Sequence, residues 1–173
     1  MKFHVETERL IMRDFREEDA EGIFKLDSNP SVVQYLHMAP MNSLQQAIEQ
    51  IEHVRSQYEK NGIGRWVLIE KATNSFVGWS GLKFENHPLL NNQQDYYDVG
   101  YRLLPEYWGR GYATESAIAS VQYGWEKMGL KKMNAAAHSE NLASKNVLKK
   151  IGFKEVSLVP FYDFQVVWYE LLK

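Results

Sequence analysis

Two glycines that flank an arginine stand where the chain passes from a predicted strand to a predicted helix. Gly109, Arg110 and Gly111 follow a β-rich segment at 96–104 and precede a helical segment at 113–128. At such a turn, glycines let backbone N–H groups converge on an anion, and the helix dipole adds positive potential. A tight turn alone explains the two glycines equally well, but Arg110 favours a phosphate-binding loop.

Two common phosphate-binding motifs do not match this turn. The dinucleotide fingerprint needs a third glycine, where this chain has Thr114. The P-loop needs a Gly-Lys-Ser/Thr run, which occurs nowhere in the sequence. An NAD-binding or ATP-binding protein that shares only a glycine-rich turn is therefore the least favoured interpretation.

The elements around the turn alternate between strands and helices. The patterns predict strands at 9–13, 65–70, 76–82, 96–104, 132–137, 153–159 and 164–172, and helices at 17–26, 44–61, 113–128 and 142–150. Residues 85–95 are predicted to form a surface loop. In helix 113–128, Ile118, Val121, Trp125 and Met128 form an apolar stripe that predicts its buried face. This order indicates a mixed sheet with helices on its faces.

Composition excludes several classes of protein. The 173 residues carry a net charge of −2, have no cysteine and include no apolar run of the roughly 20 residues that span a bilayer. We therefore expect one cytoplasmic domain over residues 1–173 with no membrane association, no direct nucleic-acid binding and no cysteine nucleophile. The five histidines are scattered without metal-ligand spacing, so no metal site is predicted.

Three segments carry a resemblance to a known family. They are Asp98-Val99-Gly100-Tyr101-Arg102-Leu103, then Pro105-Glu106-Tyr107-Trp108-Gly109-Arg110-Gly111-Tyr112-Ala113-Thr114-Glu115, and Asn141-Leu142-Ala143-Ser144 with Ile151-Gly152-Phe153. Together they resemble the GNAT superfamily of acyl-CoA-dependent N-acetyltransferases, in the branch of the ribosomal-protein N-terminal acetyltransferases. The resemblance covers about residues 6–172. It implies an α/β (α+β) fold: a mixed, mostly antiparallel sheet of six to seven strands with helices on both faces. The fourth and fifth strands of that sheet splay to form the cofactor cleft.

The resemblance also implies which residues bind acetyl-CoA as co-substrate. The pantetheine arm is expected along Val99, Gly100, Tyr101, Arg102 and Leu103. The pyrophosphate is expected at the loop that contains Trp108, Gly109, Arg110, Gly111, Tyr112, Ala113 and Thr114. Asn141 and Ser144 match further cofactor positions, for which helix capping is the competing explanation. Lys149, together with Lys145 on the same helical face, is a candidate for the nucleotide phosphates.

The catalytic residues are less well defined by the sequence. Many members of the superfamily protonate the departing thiolate with a tyrosine at the position of Leu148. We therefore take Ser144 as the first candidate for proton donor and Tyr101 as the second. Asp98 and Glu85 are candidates for the base that accepts a proton from the amine, with Glu115 as a third. Because an ordinary carboxylate is a weak base for an amine, burial would have to raise its pKa.

The function that the resemblance implies is direct acetyl transfer from acetyl-CoA to a primary amine, either a protein N-terminus or a small molecule. The acceptor is expected near residues 27–40, 85–95 and 159–163, with Tyr35, Leu36, His37 and Met38 as an amphipathic wall. A homodimer is a family-level expectation. Because Leu148 replaces the tyrosine, a non-catalytic module that binds or senses acyl-CoA is the alternative.

Overall fold

The computed structural model describes residues 3–86, 90 and 93–173. Its centre is one eight-stranded sheet with the order β1-β2-β3-β4-β5-β6-β8-β7. Neighbouring strands are antiparallel except β5 and β6, which are parallel. The strands are β1 (His4–Glu6), β2 (Leu10–Arg13), β3 (Arg65–Glu70), β4 (Ser75–Glu85), β5 (Tyr96–Leu103), β6 (Lys132–His138), β7 (Lys154–Phe161) and β8 (Phe164–Leu172).

Five α-helices cover the two faces of the sheet. They are α1 (Ala20–Asp27), α2 (Pro30–Val33), α3 (Leu44–Asn61), α4 (Tyr112–Glu126) and α5 (Leu142–Lys150). Helix α3 begins as its sequence predicts, since the Gln46 side chain accepts hydrogen bonds from the backbone N–H groups of Asn42 and Ser43. It ends at Gly62, whose left-handed φ of 67° lets its N–H bond to the Tyr58 carbonyl.

Strand β3 shows how the sheet organises the core, because all six of its residues are buried. Trp66 and Leu68 point to one face, where they join the cluster that includes residues of α4 and α5. Val67 and Ile69 point to the other face and pack in the cluster that includes α1 and α3. Successive side chains of a strand alternate between faces, so a continuous apolar run is what a strand covered on both sides requires.

The expected mixed fold with flanking helices is confirmed, with one more strand than expected. The addition is β1, which pairs with β2 at the edge of the sheet. In α4, the predicted apolar stripe is wrong at its first member: Val121 is buried, but Ile118 is 42% exposed. Part of the loop predicted at 85–95 lies outside the described residues, namely 87–89, 91 and 92.

None of the helices in the described ranges is long and apolar enough to cross a membrane.

Candidate active site

The two parallel strands at the middle of the sheet separate from each other. Strands β5 and β6 pair only at Asp98 and Asn134. Beyond that pair they diverge, which leaves a cavity of about 260 Å³ between them. Its walls come from β5, β6, α5, the β7–β8 hairpin and the segment after α2. The lining includes Tyr35, Leu36, His37, Arg65, Trp79, Leu90, Asp98, Val99, Gly100, Tyr101, Arg102, Ala136, Ala137, His138, Asn141, Ser144, Leu148, Phe161, Phe164 and Val166.

Strand β5 presents part of its backbone to this cavity. Its register with β4 runs without a break, and the Leu104 N–H donates to the Val77 carbonyl just beyond the last pair. Backbone groups alternate in direction along an antiparallel strand, so the N–H and C=O of Tyr101 point away from β4 and into the cleft. The Leu103 carbonyl points the same way and accepts a 2.7 Å hydrogen bond from the Trp108 indole. The cleft therefore has an open strand edge that an extended ligand can pair with.

The glycine-rich loop lies at one end of this edge. Gly109 and Gly111 both have a left-handed φ, at 70° and 84°, and Gly111 is the N-cap of α4. The first N–H groups of a helix have no acceptor within the helix, so those of Tyr112, Ala113 and Thr114 are directed toward the loop. They lie at the positive end of the helix dipole. The loop has the geometry that the sequence predicts for anion binding, and Trp108 at its start contacts the Leu103 carbonyl at the end of β5.

A residue that the sequence analysis placed in the first predicted strand, with no role in the site, holds this loop in place. Arg9, just before β2, donates to the Arg110 carbonyl at 2.9 Å and to the Glu115 carboxylate at 2.7 Å. Its guanidinium also lies 4.2 Å from the centre of the Tyr112 ring. The separation of more than 100 residues between the partners explains why no local pattern revealed this contact. We call Arg9, Glu115 and Thr7, which donates to Glu115 at 2.6 Å, the loop clasp.

The contacts of the clasp give Glu115 a structural role. Its carboxylate accepts hydrogen bonds from the Thr7 hydroxyl, the Arg9 backbone N–H and the Arg9 side chain. Burial raises the pKa of Glu115, but these hydrogen bonds outweigh that effect and lower it. A carboxylate with a lowered pKa is a poorer base, so the geometry gives no support to the hypothesis that Glu115 deprotonates the amine.

The Tyr112 side chain does not face the loop's anion site. Its hydroxyl donates to the Glu70 carboxylate, and the Arg110 guanidinium lies 5.1 Å from its ring centre. Arg110 also approaches the Glu70 carboxylate at 3.5 Å. Tyr112 can therefore contribute its backbone N–H, but not its side chain, to phosphate binding. Arg110 lies at the loop surface with half of its side chain exposed.

Two hydroxyl groups meet across the cleft. Tyr101 on β5 donates to the Ser144 carbonyl on α5 at 2.9 Å, and its oxygen lies 3.2 Å from the Ser144 hydroxyl. Burial raises the pKa of Tyr101, so it keeps its proton through the neutral range. Both candidate proton donors thus belong to one hydrogen-bonded pair. Leu148, at the position of the missing tyrosine, lines the same cavity and is 1% exposed.

Asn141 has the capping contact that competed with a cofactor role. Its side-chain oxygen accepts a 3.0 Å hydrogen bond from the Ser144 N–H at the start of α5. Asn141 also lines the cavity, so the capping contact does not remove it from the cleft. Lys149 stands apart from the cavity lining: its side chain is more than half exposed and lies 3.9 Å from the Glu155 carboxylate.

The two other candidate bases have different surroundings. Asp98 lines the cavity and forms an ion pair with Arg65, which also donates to the carbonyls of Gly81 and Asp98. Burial raises the pKa of Asp98 and outweighs the attraction of Arg65. Glu85 lies at the end of β4, pairs with Lys83 and is not part of the cavity lining. The structure therefore brings Asp98 into the cleft and does not bring Glu85 there.

The expected acceptor wall is partly formed. Tyr35, Leu36 and His37 line the cavity, and His37 stacks on Tyr162 of the β7–β8 hairpin with ring centres 3.8 Å apart. The Met38 sulfur lies 3.8 Å from the Arg102 guanidinium. Within residues 3–86, 90 and 93–173, no three histidine, aspartate or glutamate side chains are grouped to hold a metal ion.

Comparison with known proteins identifies the class. Residues 9–154 match the acetyltransferase (GNAT) domain family, and the chain belongs to this family. The uncharacterised N-acetyltransferase YoaA of Bacillus subtilis is 35% identical over 162 residues, which span 93% of this chain and 88% of YoaA. The family and this relative identify an acetyl-CoA-dependent acetyltransferase.

Solved structures share the fold. A GNAT-family acetyltransferase from Bacillus anthracis superposes with a TM-score of 0.81 at 23% identity and covers 98% of both chains. A spermidine N-acetyltransferase from Vibrio cholerae, solved in complex with CoA and spermine, superposes with a TM-score of 0.76 at 18% identity and covers 96% of both chains.

Proposed function

We propose that this protein transfers acetyl directly from acetyl-CoA to a primary amine of a small molecule or of a protein N-terminus. The observation that carries the proposal is the open edge of β5, which runs from the cavity to the glycine-rich loop at the start of α4. An extended pantetheine arm requires such an edge, and a pyrophosphate requires such a loop. The absence of cysteine from the sequence favours direct transfer over a cysteine-bound acyl intermediate.

The proposed acetyl-CoA site has two parts. Pantetheine pairs with the backbone of Tyr101, beside Val99 and Gly100. The pyrophosphate lies on the N–H groups of the loop and of the first turn of α4. The full set of proposed cofactor contacts remains Val99, Gly100, Tyr101, Arg102, Leu103, Trp108, Gly109, Arg110, Gly111, Tyr112, Ala113, Thr114, Asn141, Ser144 and Lys149. Of these, Lys149 and the Tyr112 side chain have the least geometric support, because Lys149 lies near Glu155 and the Tyr112 hydroxyl donates to Glu70.

The transfer step needs polarisation of the thioester and a proton for the sulfur. The amine nitrogen bonds to the thioester carbon, the carbon–sulfur bond breaks, and the thiolate takes up a proton. A backbone N–H at the open edge of β5, near Tyr101, is placed to stabilise the developing oxyanion. The Ser144 hydroxyl is the first candidate for the source of that proton, and the Tyr101 hydroxyl, whose oxygen lies 3.2 Å away, is the second.

Asp98 is the proposed base. It faces the cavity, and its raised pKa brings it closer to the range in which a carboxylate accepts a proton from an amine. The ion pair with Arg65 fixes the orientation of the carboxylate. Glu85 stays a weaker hypothesis because it does not line the cavity.

The alternative of a non-catalytic acyl-CoA module rests on Leu148, which leaves the family's usual tyrosine position without a hydroxyl. The Tyr101–Ser144 pair weakens that alternative because it supplies hydroxyls in the same cavity. The experiment is release of free CoA thiol from acetyl-CoA across a panel of small amines and N-terminal peptides. Amine-dependent release confirms transfer, whereas acetyl-CoA binding without acetylation of any amine favours the binding module.

We also propose that residues 1–173 form one acyl-CoA-binding domain, since a single continuous sheet includes all eight strands. The homodimer stays a family-level prediction that light scattering of the purified protein can test.

A further inference from the structure

Two guanidinium groups lie in the wall of the cavity, on the side where the acceptor is expected. Arg65 on β3 and Arg102 on β5 both line the cavity and flank β4, where Arg102 pairs with Trp79 and Arg65 pairs with Gly81. Their guanidinium carbons are 5.4 and 4.9 Å from the Trp79 ring centre. Stacking on an aromatic ring holds a guanidinium in a fixed orientation while leaving its edges available for hydrogen bonds.

The two arginines differ in how much hydrogen-bonding capacity they keep. Arg65 uses both terminal nitrogens on the carbonyls of Gly81 and Asp98 and on the Asp98 carboxylate. Arg102 uses Nη1 alone, which donates to Asp27 Oδ1 at 2.6 Å and contacts the Met38 sulfur. Within the described residues, Nε and Nη2 of Arg102 have no acceptor. The Nε–Nη2 edge of a guanidinium is the fork that matches a carboxylate with two parallel hydrogen bonds.

Asp27 explains why Arg102 stays in place without a ligand. Asp27 ends α1 and is 0% exposed, so its carboxylate is enclosed by protein and balanced by Arg102. A buried carboxylate of this kind anchors one end of the guanidinium firmly. Arg102 itself lines the cavity, and 17% of its side chain is exposed.

We propose that the Nε–Nη2 edge of Arg102 binds a carboxylate on the acceptor, so that the acceptor is an amino acid rather than a polyamine or a protein N-terminus. This inference rests on the proposed acetyl transfer, because it names the acceptor of that reaction. It assigns the Arg102 side chain to the acceptor instead of to pantetheine, because Arg102 shares its face of β5 with Asp98 and Gly100, opposite Tyr101.

The rest of the cavity fits such an acceptor. The two guanidinium groups in its lining are matched by two carboxylates, Asp98 and the buried Asp27, so the cavity has no excess of negative charge to attract a polycation. Phe161, Phe164 and Val166 form an apolar wall for the remainder of the molecule. A protein N-terminus carries an amide in place of the carboxylate and leaves the Arg102 fork unpaired.

The test compares amino acids with their amides. Wild-type protein is assayed for CoA release with the twenty standard amino acids, their carboxamides and spermine. The same ligands are measured for binding to the CoA-loaded protein by calorimetry. The expected result is that at least one amino acid exceeds its amide by about 10- to 100-fold in kcat/KM and in affinity. Arg102→Lys should remove the preference for the amino acid over its amide, because lysine keeps the positive charge beside Asp27 but lacks the two parallel N–H donors.

An amino acid and its amide differ in amine pKa, and this difference affects their ratio equally in wild type and in Arg102→Lys. Comparing the ratio between the two proteins therefore isolates the effect of Arg102. If Arg102→Lys does not fold, the double variant Asp27→Asn/Arg102→Gln removes both charges together and serves in its place. Arg55→Gln is the matched control, because Arg55 lies on the exposed face of α3 and pairs there with Glu17. It should leave both the ratio and the affinity for acetyl-CoA unchanged.

The outcomes separate this inference from the proposed function. The inference is overturned if amides or spermine are acetylated as well as any amino acid, or if no amino acid is preferred over its amide. Either result leaves the proposed acetyl transfer intact. Selective binding of amino acids that is lost in Arg102→Lys, without turnover, supports the carboxylate site and contradicts the transferase.

Discussion

The guanidinium of Arg65 lies directly against the backbone of Gly100, at the centre of the cleft. A Cβ at position 100 would stand 2.6 Å from Arg65 Nη2, closer than two such atoms can approach. A side chain at position 100 would therefore displace the Arg65 guanidinium, which extends from β3 across Gly81 of β4 to the Asp98 carboxylate on β5. The GNAT-like run Asp98-Val99-Gly100 thus has a packing reason in this protein, since it positions the proposed base and its cationic partner in the cavity wall.

This arrangement predicts a specific pH dependence for Asp98. The base must be deprotonated to act, so wild-type kcat/KM should rise with pH through the raised pKa of Asp98 and then level off. Asp98→Asn should lower kcat by about 10²- to 10⁴-fold and remove that rising limb. The measurement is a pH–rate profile of CoA release. Glu85→Gln is the control, and its pH–rate profile should keep the rising limb. If the rising limb disappears in Glu85→Gln and not in Asp98→Asn, Glu85 is the base.

Ser144→Ala tests the proton donor. Turnover should fall by about 10²-fold or more, because the thiolate then leaves without its nearest hydroxyl. Affinity for acetyl-CoA, measured by calorimetry, should stay close to wild type. Tyr101→Phe is the companion variant, since it removes the other hydroxyl of the pair and the 2.9 Å bond to the Ser144 carbonyl. An equal loss of binding and turnover in Ser144→Ala would mean that Ser144 contacts the cofactor and does not donate the proton.

Glu115→Gln tests the loop clasp. Loss of the charged hydrogen bonds from Thr7 and Arg9 should lower the free energy of unfolding by about 1–3 kcal/mol at pH 7. Because the fold lowers the pKa of Glu115 below its usual 4.5, its contribution is complete above that pH. It disappears as the pH falls through the folded-state pKa. The stability gap between wild type and variant, measured by urea unfolding, should therefore narrow below about pH 4.5. A gap that is constant from pH 7 to pH 3 would contradict the ionic clasp.

Gly111→Val tests the phosphate loop, but it needs a matched control. Gly111 has a φ of 84°, so valine strains the backbone whether or not phosphate binds, at a cost of about 1–3 kcal/mol. Gly129→Val imposes similar strain at a φ of 67°, beyond the other end of α4 and away from the loop. Both should lower the melting temperature, while only Gly111→Val should weaken acetyl-CoA binding at 10 °C.

Local patterns were sufficient to predict most of the elements. The Ser43–Gln46 spacing gave the start of α3, Gly62 gave its end, and the strand–glycine–helix order gave the loop and α4. Strand β1 was missed because three residues beside a terminus carry too little periodicity, and it exists by pairing with β2. Ile118 was placed in the core because a 3.6-residue repeat does not reveal that one edge of α4 has no neighbour to cover it.

The site was predictable where its residues are adjacent in sequence and not where they are distant. The β5 segment and the loop are continuous runs, so their resemblance to a family could be recognised. The pairs Arg9–Glu115, Arg65–Asp98 and Asp27–Arg102 join residues that are 33 or more positions apart. Each member alone has the sequence context of a solvated surface charge, and only the folded sheet shows that it is paired and, for Asp27 and Arg65, buried.

The most direct test of the central claim is thermal unfolding of the purified protein with acetyl-CoA, CoA, NAD and ATP at matched concentrations. A ligand at about 100 times its dissociation constant stabilises the fold by roughly 2.7 kcal/mol, which amounts to several degrees for a domain of this size. We predict that acetyl-CoA and CoA raise the melting temperature and that NAD and ATP do not. No shift with acetyl-CoA well above micromolar concentration, or a larger shift with NAD or ATP, would contradict the assignment of the cleft and its glycine-rich loop to acetyl-CoA.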